Sequence, residues 1–149
     1  MWYQPEMDAL ITFLFKVIAA VAVGFLIGLE RERSHKPAGI RTNILVVLGA
    51  TLFTIMSFEI AGDFEGDFGR IAANIVTGIG FLGAGALIQA QGSVRGLTTA
   101  AIIWVNGALG LMIGTGKFLE TAIVTLVIII VLYGLRKIEK KLAPENGNP

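Results

Sequence analysis

Long apolar stretches separated by short polar segments dominate the pattern of the sequence. Each stretch, at about 20 residues, is long enough to cross a hydrocarbon core of about 30 Å as an α-helix. A helix satisfies its own backbone hydrogen bonds, as any segment surrounded by lipid must. The pattern therefore predicts an all-α fold, a polytopic membrane helical bundle with five transmembrane helices at about 9–29, 43–60, 69–90, 97–113 and 118–135.

The third stretch, from Asp67 to Gln91, is the one around which we expect the rest of the chain to be arranged. Helical spacing places four of its polar residues on one face, and we expect them to form a ridge that runs inward along the stretch; they are Asp67, Arg70, Asn74 and Thr77. Small residues then follow, which let a neighbouring helix approach closely. The predicted helix-packing glycines are Gly78, Gly80, Gly83 and Gly85, together with Gly24 and Gly28 in the first stretch.

The spacing Gly78-x-Gly80-x-x-Gly83 also matches the dinucleotide-binding fingerprint of soluble α/β domains. That fingerprint requires an acidic residue about 20 positions further on, to hold the ribose. No Asp or Glu occurs between Asp67 and Glu120. Close packing of membrane helices is therefore the better interpretation of these glycines.

The basic residues predict the orientation of the bundle. Nine of them fall in segments on one side, against Arg70 and Lys117 on the other. Because basic residues concentrate on the cytoplasmic side, we expect the N-terminus outside and the C-terminus inside. The nine are Arg31, Arg33, Lys36, Arg41, Arg95, Arg136, Lys137, Lys140 and Lys141.

Lys16 interrupts the first apolar stretch. Its ammonium group has two ways to avoid the lipid interior: it extends back to the nearer surface, or it finds a partner inside the bundle. We favour the first.

Composition supports a membrane protein and restricts its chemistry. Hydrophobic residues make up 54% of the 149 residues and charged residues only 15%, against about 25% charged in soluble domains. We expect one transmembrane domain over 1–143 and a disordered tail over 144–149. There is no cysteine and a single histidine, His35, so we expect neither a metal site nor a cofactor.

The candidate functional side chains form two sets. The outer set is the ridge of the third stretch, in which Asp67 can pair with Arg70 or simply cap the helix. In the inner set, Glu30 and Arg41 carry opposite charges on either side of a turn, so they could clasp two helices; caps and membrane anchors are the alternative. The acids are too scattered for paired-carboxylate catalysis, and we expect no enzyme. The inner set comprises Glu30, Arg41, Thr42, Arg95, Thr98 and Thr99.

Five motifs in order resemble the MgtC/SapB family of bacterial inner-membrane proteins. They cover most of the chain, about residues 10 to 130, and are GFLIGLERE (24–32), AGIRT (38–42), DFGR (67–70), GIGFLGAG (78–85) and RGLTTAA (95–101). Asn74 stands where a glutamine is expected. The resemblance implies a multi-pass protein of the cytoplasmic (inner) membrane without enzymatic activity. Virulence-associated members carry a further C-terminal ACT-like domain, so functions residing there cannot be transferred to this chain.

For such members the resemblance also implies adaptation to low magnesium and survival inside macrophages, with inhibition of the F-type ATP synthase as mechanism. Our first hypothesis is a non-catalytic regulator that lies in the lipid bilayer and binds another integral membrane protein. The alternative is a channel or transporter for Mg²⁺ or protons. We also expect a homo-oligomer, with a dimer favoured, and no nucleic-acid partner.

Overall fold

The structure, a computed structural model, describes residues 4–64, 68–90 and 93–142. Five α-helices account for nearly all of this part of the chain, so the prediction of a helical protein is confirmed. A two-stranded hairpin lies between the third and fourth helices. The elements are α1 Gln4–Arg33, α2 Ile40–Phe64, α3 Phe68–Gly85, β1 Ile88–Ala90, β2 Ser93–Arg95, α4 Leu97–Gly114 and α5 Phe118–Leu142.

Four of the five helices are long and apolar enough to cross a membrane, namely α1, α2, α4 and α5. The apolar part of α3 is shorter and covers Ala72–Gly85. At 1.5 Å per residue it extends about 20 Å, less than a hydrocarbon core of about 30 Å. Many large apolar side chains on the outside of the bundle are exposed, as expected for a surface that contacts lipid.

The third apolar stretch ends as a helix earlier than predicted. We expected a span to residue 90, but α3 stops at Gly85 and Ile88–Ala90 forms a strand. Short i→i+3 bonds, Ala86 N–H to Gly83 O and Leu87 N–H to Ala84 O, tighten the last turn. Pairing of Ile88 with Arg95 in an antiparallel register then replaces the helical hydrogen bonds.

Gly96 connects this hairpin to α4 and could not be another residue without strain. Its φ of 93° lies in the left-handed region, which disfavours residues with a Cβ. A Cβ at this position would also collide with the carbonyl oxygen of Ala86. The chain therefore turns tightly enough to bring the start of α4 against the end of α3.

The core of the bundle lies around α2 and α4, and not around the glycine-rich stretch as we expected. One apolar cluster, which includes Ile27, Val47 and Leu109, joins α1, α2 and α4. A second, which includes Ala50, Ile79 and Ile103, joins α2, α3 and α4. Both clusters include residues of α2 and α4, whereas α3 contributes to only one and leaves much of its surface free.

Candidate functional site

A cluster of hydrogen-bonded polar side chains connects three helices at one end of the bundle. The Arg31 guanidinium, near the end of α1, donates from Nη2 to the Thr99 hydroxyl of α4 at 2.8 Å. The Ser34 hydroxyl donates to Glu30 Oε1 at 2.6 Å and accepts from Arg136 Nη1 of α5 at 2.6 Å. We call these five residues the inner-end cluster, because they lie at the end predicted to face the cytoplasm.

Two opposite charges are buried within this cluster. Glu30 is 2% exposed and Arg31 is 4% exposed, and Glu30 Oε2 lies 4.0 Å from Arg31 Nη1. Removing such charges from water is costly unless they are paired and hydrogen-bonded. Glu30 Oε2 and Arg31 Nε nevertheless have no hydrogen-bond partner among the residues that the structure describes. Two polar atoms of the inner-end cluster are therefore buried without a hydrogen bond in the described chain, and such atoms are uncommon in native structures.

A cavity of about 250 Å³ opens beside the cluster, and we call it the charged cavity. Its lining combines three basic residues with apolar side chains of α5. This composition suits binding of a polar or charged group better than catalysis, since the single carboxylate already faces an arginine. The lining residues are Glu30, Arg31, Ser34, Lys36, Thr98, Val131, Leu132, Leu135 and Arg136.

A pair of asparagines forms a second polar contact in the bundle core. Asn106 Nδ2 of α4 donates to Asn43 Oδ1 of α2 at 2.6 Å, and both side chains are fully buried. Asn43 also donates to the carbonyl oxygens of Ala38 and Gly39, at 2.5 and 2.8 Å. This pair joins the turn after α1 to the middle of α4 and fixes the position of α2 between them.

Lys16 has a partner inside the bundle, contrary to the alternative that we favoured. Its Nζ donates to the carbonyl oxygen of Gly114 at 2.8 Å. Gly114 is the last residue of α4, where unsatisfied carbonyls carry partial negative charge. The ammonium group therefore stabilises the end of a neighbouring helix.

The structure brings together only part of the predicted inner set. Glu30 and Thr99 belong to the inner-end cluster, and Thr98 lines the charged cavity. Arg41 and Thr42 are exposed, and Glu30 is buried beside Arg31, so no clasp forms between Glu30 and Arg41. Arg95 is exposed at the end of β2. Three of the five cluster residues were not among the predicted functional side chains: Arg31 and Arg136 were counted only as basic residues of the cytoplasmic side, and Ser34 was not singled out.

The described members of the ridge on α3 face away from the other helices of the bundle. Arg70, Asn74 and Thr77 are all exposed. The reason is helical geometry, since α3 packs through Ile75 and Ile79, and the ridge lies on the opposite side of the helix. Asp67 lies outside the described residues, so its predicted pairing with Arg70 stays a prediction.

The predicted glycines fall into two groups. A Cβ at Gly24 or Gly28 would lie 2.5 Å from the Cα of Ile44 or Ile40, and one at Gly83 would lie 3.4 Å from the Ala100 carbonyl oxygen. These three glycines pack within the chain. At the other three positions no other described element comes within 4 Å of the place that a Cβ would take; they are Gly78, Gly80 and Gly85.

Within 4–64, 68–90 and 93–142, no group of three or more His, Cys, Asp and Glu residues is placed to hold a metal ion.

Comparison with known proteins identifies relatives over most of the chain. The model of the MgtC family matches residues 17–141. Protein MgtC of Salmonella typhimurium (strain LT2) is 38% identical over 139 residues, which are 93% of this chain and 59% of that protein. Protein MgtC of Brucella abortus (strain 2308) is 44% identical over 123 residues, 83% of this chain and 51% of that protein. The chain thus spans between half and six tenths of the length of these relatives. No solved structure matches it.

Proposed function

The chain belongs to the MgtC family, and from this membership we propose that it is a non-catalytic regulator in the bacterial cytoplasmic membrane. It acts by binding another integral membrane complex through a helix face that its own bundle leaves free. The physiological role is adaptation to low magnesium and, in a pathogen, survival inside macrophages. The partner that we propose is the F-type ATP synthase.

The proposed topology has five spans, with the N-terminus outside and the C-terminus inside. Contacts at the inner-end cluster support it, because the end of α1, the start of α4 and the last turns of α5 lie together there. This is the end that carries Arg31, Lys36 and Arg136, as the positive-inside rule requires of the cytoplasmic side. In this arrangement α3 crosses as the shortest span.

The free surface of α3 is the observation that carries the proposed function. Gly78 and Gly85 lie two turns apart with no packing partner in the described chain, and Phe81 between them is 78% exposed. Glycines beside a projecting aromatic ring form a surface that a second membrane helix can pack against, because small residues permit close approach. We call Gly78, Phe81 and Gly85 the docking face.

An apolar groove of about 500 Å³ borders the docking face and lies between α2 and α3. Gly49 and Gly78 are among its lining residues, and neither has a packing partner within 4 Å of its Cβ position. A partner helix could therefore contact α2 and α3 at once. A second copy of the chain is the other occupant that we propose for this groove, which gives a dimer.

A bulky residue on the docking face should abolish partner binding without unfolding the bundle. Gly78→Leu adds a side chain where the described chain leaves open space, and leucine favours helix more than glycine by about 1 kcal/mol. The control is Gly134→Leu, because Gly134 is an equally open helical glycine on α5. We expect wild type and Gly134→Leu, but not Gly78→Leu, to restore growth of a deletion strain in low magnesium.

The partner is tested by co-reconstitution with purified F-type ATP synthase in liposomes. We expect wild type and Gly134→Leu to reduce ATP-driven proton pumping, followed by fluorescence quenching of an acridine dye, and Gly78→Leu to leave it unchanged. Equal pumping with and without wild-type protein would remove the ATP synthase as partner. Full activity of Gly78→Leu in both assays would show that the docking face does not bind the partner.

Ion transport is the second candidate, and one observation favours it. Buried polar side chains follow one another along α2, at Asn43, Thr51, Thr54 and Ser57, beside α4. Thr51 and Thr54, however, donate to backbone carbonyls of their own helix, at 2.9 and 2.7 Å. Flux of Mg²⁺ or protons through liposomes that hold this protein alone would establish transport, and its absence would leave the regulator.

A further inference from the structure

We propose that the charged cavity and an adjoining apolar groove form one binding site for an acidic phospholipid. The groove, of about 230 Å³, lies between α4 and α5, and we call it the tail groove. It shares Thr98, Val131 and Leu132 with the charged cavity, so the two adjoin. The phosphate of the lipid occupies the charged cavity and an acyl chain occupies the tail groove.

Charge complementarity assigns the headgroup. The carboxylate of Glu30 faces the buried Arg31, so the two charges offset each other. Lys36 and Arg136 then leave a net positive charge along the lining of the cavity. The described side chains occupy one of the five N–H donors of Arg136, through its bond to Ser34. A phosphate oxygen is the acceptor that the remaining donors suit.

The Nε–H of Arg31, which has no hydrogen-bond acceptor in the described chain, also supports an anionic ligand. A buried donor without a partner is costly, and this one belongs to Arg31, which lines the charged cavity. The nearest carboxylate does not satisfy it in the described chain. An anionic oxygen that enters the cavity supplies the kind of acceptor that is missing.

The tail groove distinguishes a lipid from a free phosphate ion. Every lining residue except Thr98 is apolar, and the groove follows α4 and α5 away from the charged end. A small anion would fill the charged cavity and leave this apolar surface uncovered. Basic pockets between membrane helices on the cytoplasmic side are known to suit acidic headgroups. The lining of the groove is Thr98, Ala101, Ile102, Val105, Val127, Ile128, Val131 and Leu132.

Native mass spectrometry of the detergent-solubilised protein measures this binding directly. We expect phosphatidylglycerol to bind more tightly than phosphatidylcholine with the same acyl chains. Arg136→Gln and Lys36→Gln should each weaken phosphatidylglycerol binding about fivefold, the equivalent of ~1 kcal/mol per basic residue near an anionic headgroup. The control is Arg33→Gln, which removes an exposed charge outside the cavity lining and should leave the dissociation constant unchanged.

The acyl-chain half of the site has its own variant. Ala101→Phe fills the tail groove from an exposed position on α4, so it should weaken phosphatidylglycerol without altering the melting temperature of the lipid-free protein. The exposed Lys36 keeps the headgroup test valid if Arg136→Gln unfolds the end of α5.

Three outcomes would overturn the proposal. Equal binding of phosphatidylglycerol and phosphatidylcholine would mean that the cavity does not select an acidic headgroup. Equal losses in Arg33→Gln and Lys36→Gln would mean that only the general surface charge attracts the lipid. Displacement of phosphatidylglycerol by inorganic phosphate, with Ala101→Phe indistinguishable from wild type, would assign the cavity to a free anion. None of these results depends on the ATP synthase or on the docking face.

Discussion

Replacing Gly24 or Gly28 with alanine should destabilise the bundle, although alanine is the better helix former. In both cases the added Cβ would lie 2.5 Å from a Cα of α2, either that of Ile44 or that of Ile40. Backbone atoms cannot rotate away as a side chain can, so α1 and α2 must move apart. We expect each substitution to lower the free energy of unfolding by about 1–3 kcal/mol, the usual cost of overpacking.

The matched control is the same substitution at an open glycine. Gly80→Ala introduces a methyl group where no other described element lies within 4 Å, so helix propensity alone should act. We expect it to stabilise the protein by about 0.5–1 kcal/mol. Denaturant titration in detergent, followed by circular dichroism, measures the change in the free energy of unfolding for each variant. Destabilisation by Gly80→Ala equal to that by Gly24→Ala would show that α1–α2 contact is not what Gly24 preserves.

The helices could be predicted from the sequence because lipid imposes a simple rule on each segment by itself. An apolar run of sufficient length must be helical, whatever it packs against. The close glycines of α1 could also be predicted from local sequence, because Gly24 and Gly28 lie four residues apart and therefore on one face of the helix. Which helix occupies the centre is a different question. It depends on contacts between segments distant in the sequence, and the many glycines of α3 gave no information on whether their partner lies within the chain.

The end of α3 was predicted too late because it depends on pairing with a later segment of the chain. Residues 86–90 remain apolar enough to continue a span, and nothing in them breaks a helix. Ser93–Arg95 instead pairs with Ile88–Ala90, and Gly96 then turns the chain into α4 in the left-handed conformation. A glycine before the next apolar stretch was visible in the sequence, but its φ was not.

The sequence indicates which polar residues need a partner, but it does not indicate which partner each of them finds. Polar residues inside apolar spans are expected to be partnered, and Asn106 could have been singled out on that ground. Its partner Asn43 stands at the start of a span, where an asparagine is equally typical of a helix cap. Arg31 resembled an ordinary cytoplasmic anchor, since only the fold reveals that its guanidinium turns inward to Thr99. Side-chain direction near a helix end depends on which neighbour lies there.

Glu30→Ala should be the most damaging single substitution at the inner-end cluster. It removes the hydrogen-bond acceptor of Ser34 and leaves the Arg31 guanidinium buried without its counter-charge. Breaking a buried ion pair from one side typically costs about 3–5 kcal/mol. The control, Glu32→Ala, removes an exposed carboxylate two residues away that accepts one long bond, of 3.4 Å, from the backbone N–H of Ile40, and it should cost no more than about 1 kcal/mol. Thermal unfolding in detergent distinguishes the two.

A double substitution then shows whether the buried charges stabilise the fold or serve another purpose. Glu30→Leu with Arg31→Met replaces both charges by apolar groups of similar size, a change that is often neutral or stabilising in a buried site. We expect the double variant to recover most of the stability lost in Glu30→Ala and yet to favour phosphatidylglycerol over phosphatidylcholine less strongly than wild type, because Lys36 and Arg136 remain in the cavity lining but the Arg31 donors are lost. Because a purely structural pair would be replaced without any effect on lipid selectivity, recovery of stability together with wild-type selectivity would contradict a role of Arg31 in the charged cavity. Failure of the double variant to recover stability would instead identify the bonds to Ser34 and Thr99 as the main stabilising contribution.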